Sequence, residues 1–298
     1  MRSLSRRNPI GAFVILSTSI AMLVLGLPLL SENGVGLIHV ELPGVAPFVL
    51  AAALALFGAS LWVTSTADGQ EGVRAFRRRV FRFRVNPLWF VLALTMLPMT
   101  AVVTASLVTG SNVVAELFSR PDVMLALVVE ALVAFLLVNW WEEAAFTGFV
   151  LHRLQPRIGP VGASVVTTWL QALVHVPLLF VADGVTEGRV PTDEIVVYLA
   201  ALFVLPIPVR MLITWLYNTT GRSIPVVGIF HAGLGVATGS VMIPELVSGF
   251  NQTWVYAGFA VVSAIVLVMT RGKLGFEPDP ATDPSSSKSI FDHLRVSS

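Results

Sequence analysis

The chain of 298 residues is 55% hydrophobic and only 12% charged, with no cysteine and a formal net charge of +1. Soluble domains average about 25% charged residues, so this chain cannot cover a water-facing surface, and it reads as all-α and polytopic in a membrane. The missing cysteines exclude a disulfide scaffold, an iron–sulfur cluster, a thiolate zinc site and a cysteine nucleophile, and the small net charge offers no basic field for nucleic acid.

A membrane helix takes about 20 mostly apolar residues. That length predicts a transmembrane helical bundle of eight spans, at 10–30, 43–64, 88–109, 123–146, 161–181, 195–217, 224–243 and 253–270. The first follows Arg2, Arg6 and Arg7, but its apolar run exceeds the roughly 7–15 residues of a signal-peptide core, so it reads as a retained helix. With both termini cytoplasmic, sixteen of the nineteen basic residues fall on inner segments, and only Arg120 and Arg189 on outer loops. This is the positive-inside distribution, and one missed helix would invert it. The resulting organisation is three N-terminal helices over 1–122 with a basic cytoplasmic loop at 65–87, a core over 123–245, a final helix over 246–271, and a Pro-, Ser- and Asp-rich tail over 272–298 that reads as disordered. Within the basic loop, six arginines between Arg74 and Arg84 interleave with Phe76, Phe81 and Phe83. That pattern fits a segment touching anionic lipid, and equally a topology-setting loop.

Ionisable groups inside a membrane cost about 2.5–3.5 kcal/mol each on insertion scales and mark functional sites by default. Those expected here are Glu130, Glu142, Glu143, His175, Arg210 and His231. Glu142 lies 17 residues before Gly159 and His175 lies 16 after it. Two antiparallel helices joined there place both side chains at nearly one depth, whatever their tilt. Adjacent residues differ by about 100° around a helix, so Glu142 and Glu143 cannot both face one partner. Glu130 reads as a structural hydrogen-bond partner or a topographic oddity, and Arg210 as an arginine snorkelling to the inner surface. His39, His152 and His293 read as solvated. His231 sits seven residues past Ile224, which leaves it about 12 Å from His175 in depth at about 1.5 Å per residue.

Three segments, in order, carry a resemblance. The first is Glu142-Glu143-Ala144-Ala145-Phe146-Thr147-Gly148, running on to Arg153-Leu154-Gln155. The second is Trp169-Leu170-Gln171-Ala172-Leu173-Val174-His175-Val176-Pro177. The third is Trp215-Leu216-Tyr217-Asn218-Thr219-Thr220-Gly221-Arg222-Ser223, followed by Phe230-His231-Ala232. Together they resemble the CPBP family of CaaX-protease and bacteriocin-processing intramembrane proteases, also called the Abi or type II CAAX prenyl endopeptidase family. The resemblance spans 123–238. It departs from the family pattern at Thr147, where an arginine is usual, at Gln171, where an aromatic is usual, and at Gly235, where an Asn or Asp is usual.

The resemblance implies an endopeptidase of the cell membrane, bacterial or archaeal, acting on a membrane-associated peptide. It implies catalytic roles for Glu142, Glu143, His175 and His231: Glu142 as general base sharing a water with His175, Glu143 orienting the site, and His231 donating to the oxyanion. No cofactor is favoured. Zinc held by Glu142, His175 and His231 is the metal version, and spacing does not decide between the two. Asn139 or Gln171 could replace the donor missing at Gly235. A catalytically weak or inactive relative, acting in bacteriocin immunity or as a membrane partner, is the alternative favoured by Thr147 and Gly235. A proton-coupled or small-solute transporter is the third reading, and it calls for broken helices and internal repeats.

Overall fold

The computed structural model describes residues 1–42, 44–182, 193–238, 246–247, 250–251 and 253–278. Among them every regular element is helical. A short α1 (Arg2–Arg7) leads into α2 (Pro9–Leu30), where Asn8 caps the new helix by accepting from the Gly11 amide at 3.0 Å and Pro9 occupies the first turn. Then come α3 (Ala46–Val80), α4 (Leu88–Thr109), α5 (Val113–Ser119) and α6 (Pro121–Ala134). A π-helical turn (Phe135–Asn139), α7 (Trp140–Ala145) and a second π-helical turn (Phe146–Leu151) run directly into α8 (His152–His175) and a 3₁₀ turn (Val176–Phe180). The bundle closes with α9 (Ile195–Val204), α10 (Ile207–Thr219), α11 (Ile224–Thr238) and α12 (Thr253–Met269).

Five helical stretches are long and apolar enough to cross a membrane: Pro9–Leu30, Ala46–Val80, Leu88–Thr109, Pro121–Phe180 and Ile195–Thr219. Two shorter apolar helices, Ile224–Thr238 and Thr253–Met269, accompany them. Large apolar side chains such as Leu23, Leu107, Leu125 and Val268 point outward, as a lipid-facing surface requires. The protein is therefore a multi-pass helical membrane protein. One buried cluster runs from Phe13 on α2 to Phe259 on α12, so the N-terminal helices share a core with the rest.

Two glycines shape this bundle. Gly159, at φ 72° and ψ 168°, breaks the 60-residue stretch into the expected antiparallel pair. Gly69, at φ 65° and ψ −159°, does the same to α3. Both lie in the left-handed half of backbone space, which glycine enters without steric cost. The break at Gly69 corrects one expectation. Residues 70–80 of the supposed loop are helical, with Phe76 and Val80 fully buried and Arg74, Arg77 and Arg78 exposed. Two apolar residues four apart give that helix a face to bury.

A second correction concerns the tail. Leu274 is fully buried and its carbonyl accepts from Asn218 Nδ2 at 3.0 Å, so the chain stays packed past Met269. Residues 279–298, including His293, lie outside the described part, as do Pro43, Arg189 and 239–243 of the expected spans.

Candidate active site

The site is built on α7, and its two carboxylates diverge as helix geometry demands. Glu142 faces α8: its Oε1 lies 3.8 Å from His175 Nε2. Glu143 faces α10 and α11: its Oε2 lies 2.8 Å from Arg210 Nη1, and its Oε1 lies 2.8 Å from His231 Nδ1. Both carboxylates are buried, Glu143 completely. The π-helical turns on either side of α7 each add a residue to the local turn, a device that recurs at functional sites because it re-aims side chains without ending the helix.

His175 is the last residue of α8. Its Nδ1 lies 2.9 Å from the Gln171 carbonyl. A carbonyl oxygen only accepts, so Nδ1 carries the proton and Nε2 is turned toward Glu142. At 3.8 Å the pair is too far apart for a direct hydrogen bond, while one water bonding to each at about 2.8 Å fits between them.

Glu143 is held on several sides. Thr147 Oγ1 donates to Oε2, and Arg210 Nη1 donates both to that oxygen and to Thr147 Oγ1 at 2.9 Å. Arg210 Nη2 donates to Gln171 Oε1. The His231 contact is as short as a hydrogen bond, yet neither Glu143 Oε1 nor His231 Nδ1 has an aligned hydrogen-bond partner among the described residues. It is a close pair seen off-axis, and a small ring rotation would align it.

Arg210 overturns the snorkelling expectation. It is 4% exposed and entirely engaged by Glu143, Thr147 and Gln171. Thr147 stands where the family motif has an arginine, and Arg210 brings a guanidinium to the same carboxylate from a different helix. The signal was present in sequence as two features never combined: a motif arginine missing at Thr147 and an unexplained arginine inside an apolar helix.

The expected depth gap between His231 and His175 is closed. The first turns of α11, from Ile224 through Gly228, are buried, so this helix begins inside the protein and counting from its end understates its depth. Gly228 makes the approach feasible: a Cβ there would lie 3.0 Å from the Phe135 ring and 3.2 Å from the Trp140 Cα. His231 follows one turn later, on Glu143.

A cavity of about 260 Å³ opens on this cluster, lined by Asn139, Gln171, His175, Arg210, His231 and Gly235 among others. Both candidate replacement donors therefore reach it. Gln171 spends its carbonyl oxygen on Arg210, which leaves its amide NH₂ as a donor. A Cβ built on Gly235 meets nothing within 4 Å.

The other candidates lie elsewhere. Glu130 is exposed on α6, away from the cluster. His39 is exposed beside Glu32. His152, expected in solvent, is partly buried, with Nδ1 3.3 Å from the Tyr217 hydroxyl. As for zinc, His231 sits on Glu143 rather than beside Glu142 and His175, and no three His, Asp or Glu side chains among the described residues are placed to hold a metal ion.

A buried acid–base cluster facing a small cavity inside an apolar helical bundle defines a membrane-embedded site. The family model described as Type II CAAX prenyl endopeptidase Rce1-like matches residues 124–237, which contain every residue of that cluster. Over those residues the chain is similar to a family of peptidases. No curated protein matches the chain.

Proposed function

We propose that this protein is an intramembrane endopeptidase that hydrolyses a peptide bond in a membrane-associated peptide by a water held between Glu142 and His175. The observation that carries this reading is the 3.8 Å gap between Glu142 Oε1 and His175 Nε2, with the histidine tautomer set by the Gln171 carbonyl. The family match over the same residues supports the reaction class.

The two carboxylates take different roles because their surroundings differ. Glu143 is engaged at Oε2 by Arg210 and Thr147 and approached at Oε1 by His231, and accepting a proton would weaken those contacts. Among the described residues Glu142 has only its long approach to His175, so it is the free base. It takes a proton as the water oxygen attacks the carbonyl carbon, and returns that proton to the departing amine as the carbon–nitrogen bond breaks. His231, together with the Gln171 amide or Asn139, faces the oxyanion. Glu143 and Arg210 hold His231 in place. The bundle sits in a bacterial or archaeal plasma membrane as eight spans with both termini cytoplasmic, and its partners are the lipid bilayer and the peptide substrate.

The test is cleavage of a membrane-peptide library by purified wild type and Glu142→Gln. Wild-type cleavage that disappears in a Glu142→Gln variant of unchanged melting temperature is the expected result. Equal cleavage by both would remove Glu142 from the mechanism. A wild type that cleaves nothing, even with Gly235→Asn, would favour the inactive relative.

A further inference from the structure

We propose that an arginine-lined groove at the end of the bundle carrying residues 70–80 binds a phosphate-bearing anion, supplied by the headgroup of an anionic lipid. The groove, about 810 Å³, lies between the helix that follows Gly69, the α10–α11 connection and residues 275–278. Arg78, Arg79, Arg82 and Arg222 line it, with Asn218 as a neutral donor and Glu277 as the only carboxylate among the described lining residues.

Three observations indicate an anion in this place. First, four guanidiniums share one groove, and among the described residues none of them forms an ion pair. The nearby Asp68 is taken by Arg153. Such a cluster repels itself unless a counter-charge enters. Second, the cluster is built rather than scattered over the surface. Arg79 donates through Nη2 to the Gly148 carbonyl at 3.4 Å, while its Nε is buried without a hydrogen-bond partner. The backbone of Arg82 is tied to Ser223 Oγ at 2.7 Å. Arg222 is held at φ 71°, a conformation that non-glycine residues rarely adopt. Third, guanidinium forks match the paired oxygens of an oxyanion such as phosphate, which favours it over a simple halide.

The lipid source follows from the neighbours. Phe81 and Phe83, 48% and 45% exposed, flank the groove's Arg82 in the chain and rest on Trp140. Exposed aromatics beside exposed Arg74, Arg77 and Arg78 are the composition of a segment lying at a membrane interface. The positive-inside rule puts this end at the cytoplasmic leaflet, where anionic headgroups concentrate.

The experiment uses the full chain in non-ionic detergent, with native mass spectrometry and thermal melting during titration of short-chain phosphatidylglycerol, short-chain phosphatidylcholine and inorganic phosphate. The wild type should bind phosphatidylglycerol in preference to phosphatidylcholine. An Arg82→Gln/Arg222→Gln variant should lose affinity by about tenfold or more, the loss expected for charge-assisted bonds. An Arg7→Gln/Arg157→Gln variant, which removes the same charge from outside the groove, should not. Arg82→Lys/Arg222→Lys, which keeps charge but loses the fork, should fall between them and guards against misfolding of the glutamine variant. Phosphate competing as well as the lipid would support the groove and assign its ligand to free phosphate. Equal binding of the two lipids, or equal binding by the two glutamine variants, would overturn the proposal.

Discussion

Arg210→Met tests the architecture of the site most directly. Arg210 and Glu143 are 4% and 0% exposed and their charged atoms are 2.8 Å apart. Removing one partner of such a pair leaves an uncompensated buried charge and costs about 3–5 kcal/mol. The folded-to-unfolded ratio should fall by a factor on the order of 10²–10⁴. The methionine also abandons Thr147 Oγ1 and Gln171 Oε1, so the upper half of that range is expected. Neutralising the stranded carboxylate should restore part of the loss. Arg210→Met/Glu143→Gln is expected to be more stable than Arg210→Met alone, with a coupling of about 0.5–3 kcal/mol in a double-mutant cycle. Equilibrium unfolding in mixed micelles titrated with SDS measures all four corners of the cycle. The reasoning fails if Arg210→Met unfolds like wild type, or if the cycle shows no coupling, because either result means that Arg210 reaches the membrane surface instead.

Two further outcomes are expected. Gly148→Ala should destabilise the protein by about 1–3 kcal/mol, since its Cβ would lie 3.2 Å from both Ile224 Cδ1 and the Phe76 ring; an unchanged unfolding midpoint would show that those side chains yield freely. Peptide cleavage should persist in chelator and gain nothing from added Zn²⁺, because Glu142 and His175 gather no third ligand; loss in chelator with recovery on Zn²⁺ would replace the water-only mechanism.

The common depth of Glu142 and His175 was legible because it needs only equal separations from one turn, at Gly159, whereas their facing each other was implied by the resemblance alone. Helix content was legible for the same elementary reason: runs of about 20 apolar residues have one way to satisfy their backbone in lipid. His231 was misjudged in depth because a ladder count assumes that helices begin at the membrane surface, and α11 begins among buried residues. Arg210 differs from its expected place because snorkelling is decided by which face of a helix points inward, and Arg210, Thr214 and Asn218, recurring four apart, are the face that α10 turns to the core. The packed helix after Gly69 escaped because its arginines dominate the composition, while two residues, Phe76 and Val80, decide its burial.

The two departures from the family pattern look alike in sequence and differ in space, which gives their reversals opposite signs. Thr147 needs no repair: the guanidinium missing from that position arrives from Arg210, and Thr147 is small enough to hydrogen-bond both members of the pair. Thr147→Arg in the wild type would press a second cation against one carboxylate in a fully buried place, and it should cost several kcal/mol and most of the activity. In the Arg210→Met background, where the carboxylate is stranded, the same change should partly restore stability. Gly235 has no such substitute built onto its own position. A side chain there enters open space beside His231 and His175, so Gly235→Asn should leave the unfolding midpoint unchanged. One oxyanion donor is typically worth about 100- to 1000-fold in rate, and Gly235→Asn should raise turnover toward that factor, less whatever Gln171 and Asn139 already supply. Parallel unfolding and turnover measurements on the two variants decide the matter. Rate gains in both would mean that Arg210 does not stand in for the motif arginine, and losses in both would mean that the cavity at Gly235 is not where the oxyanion forms.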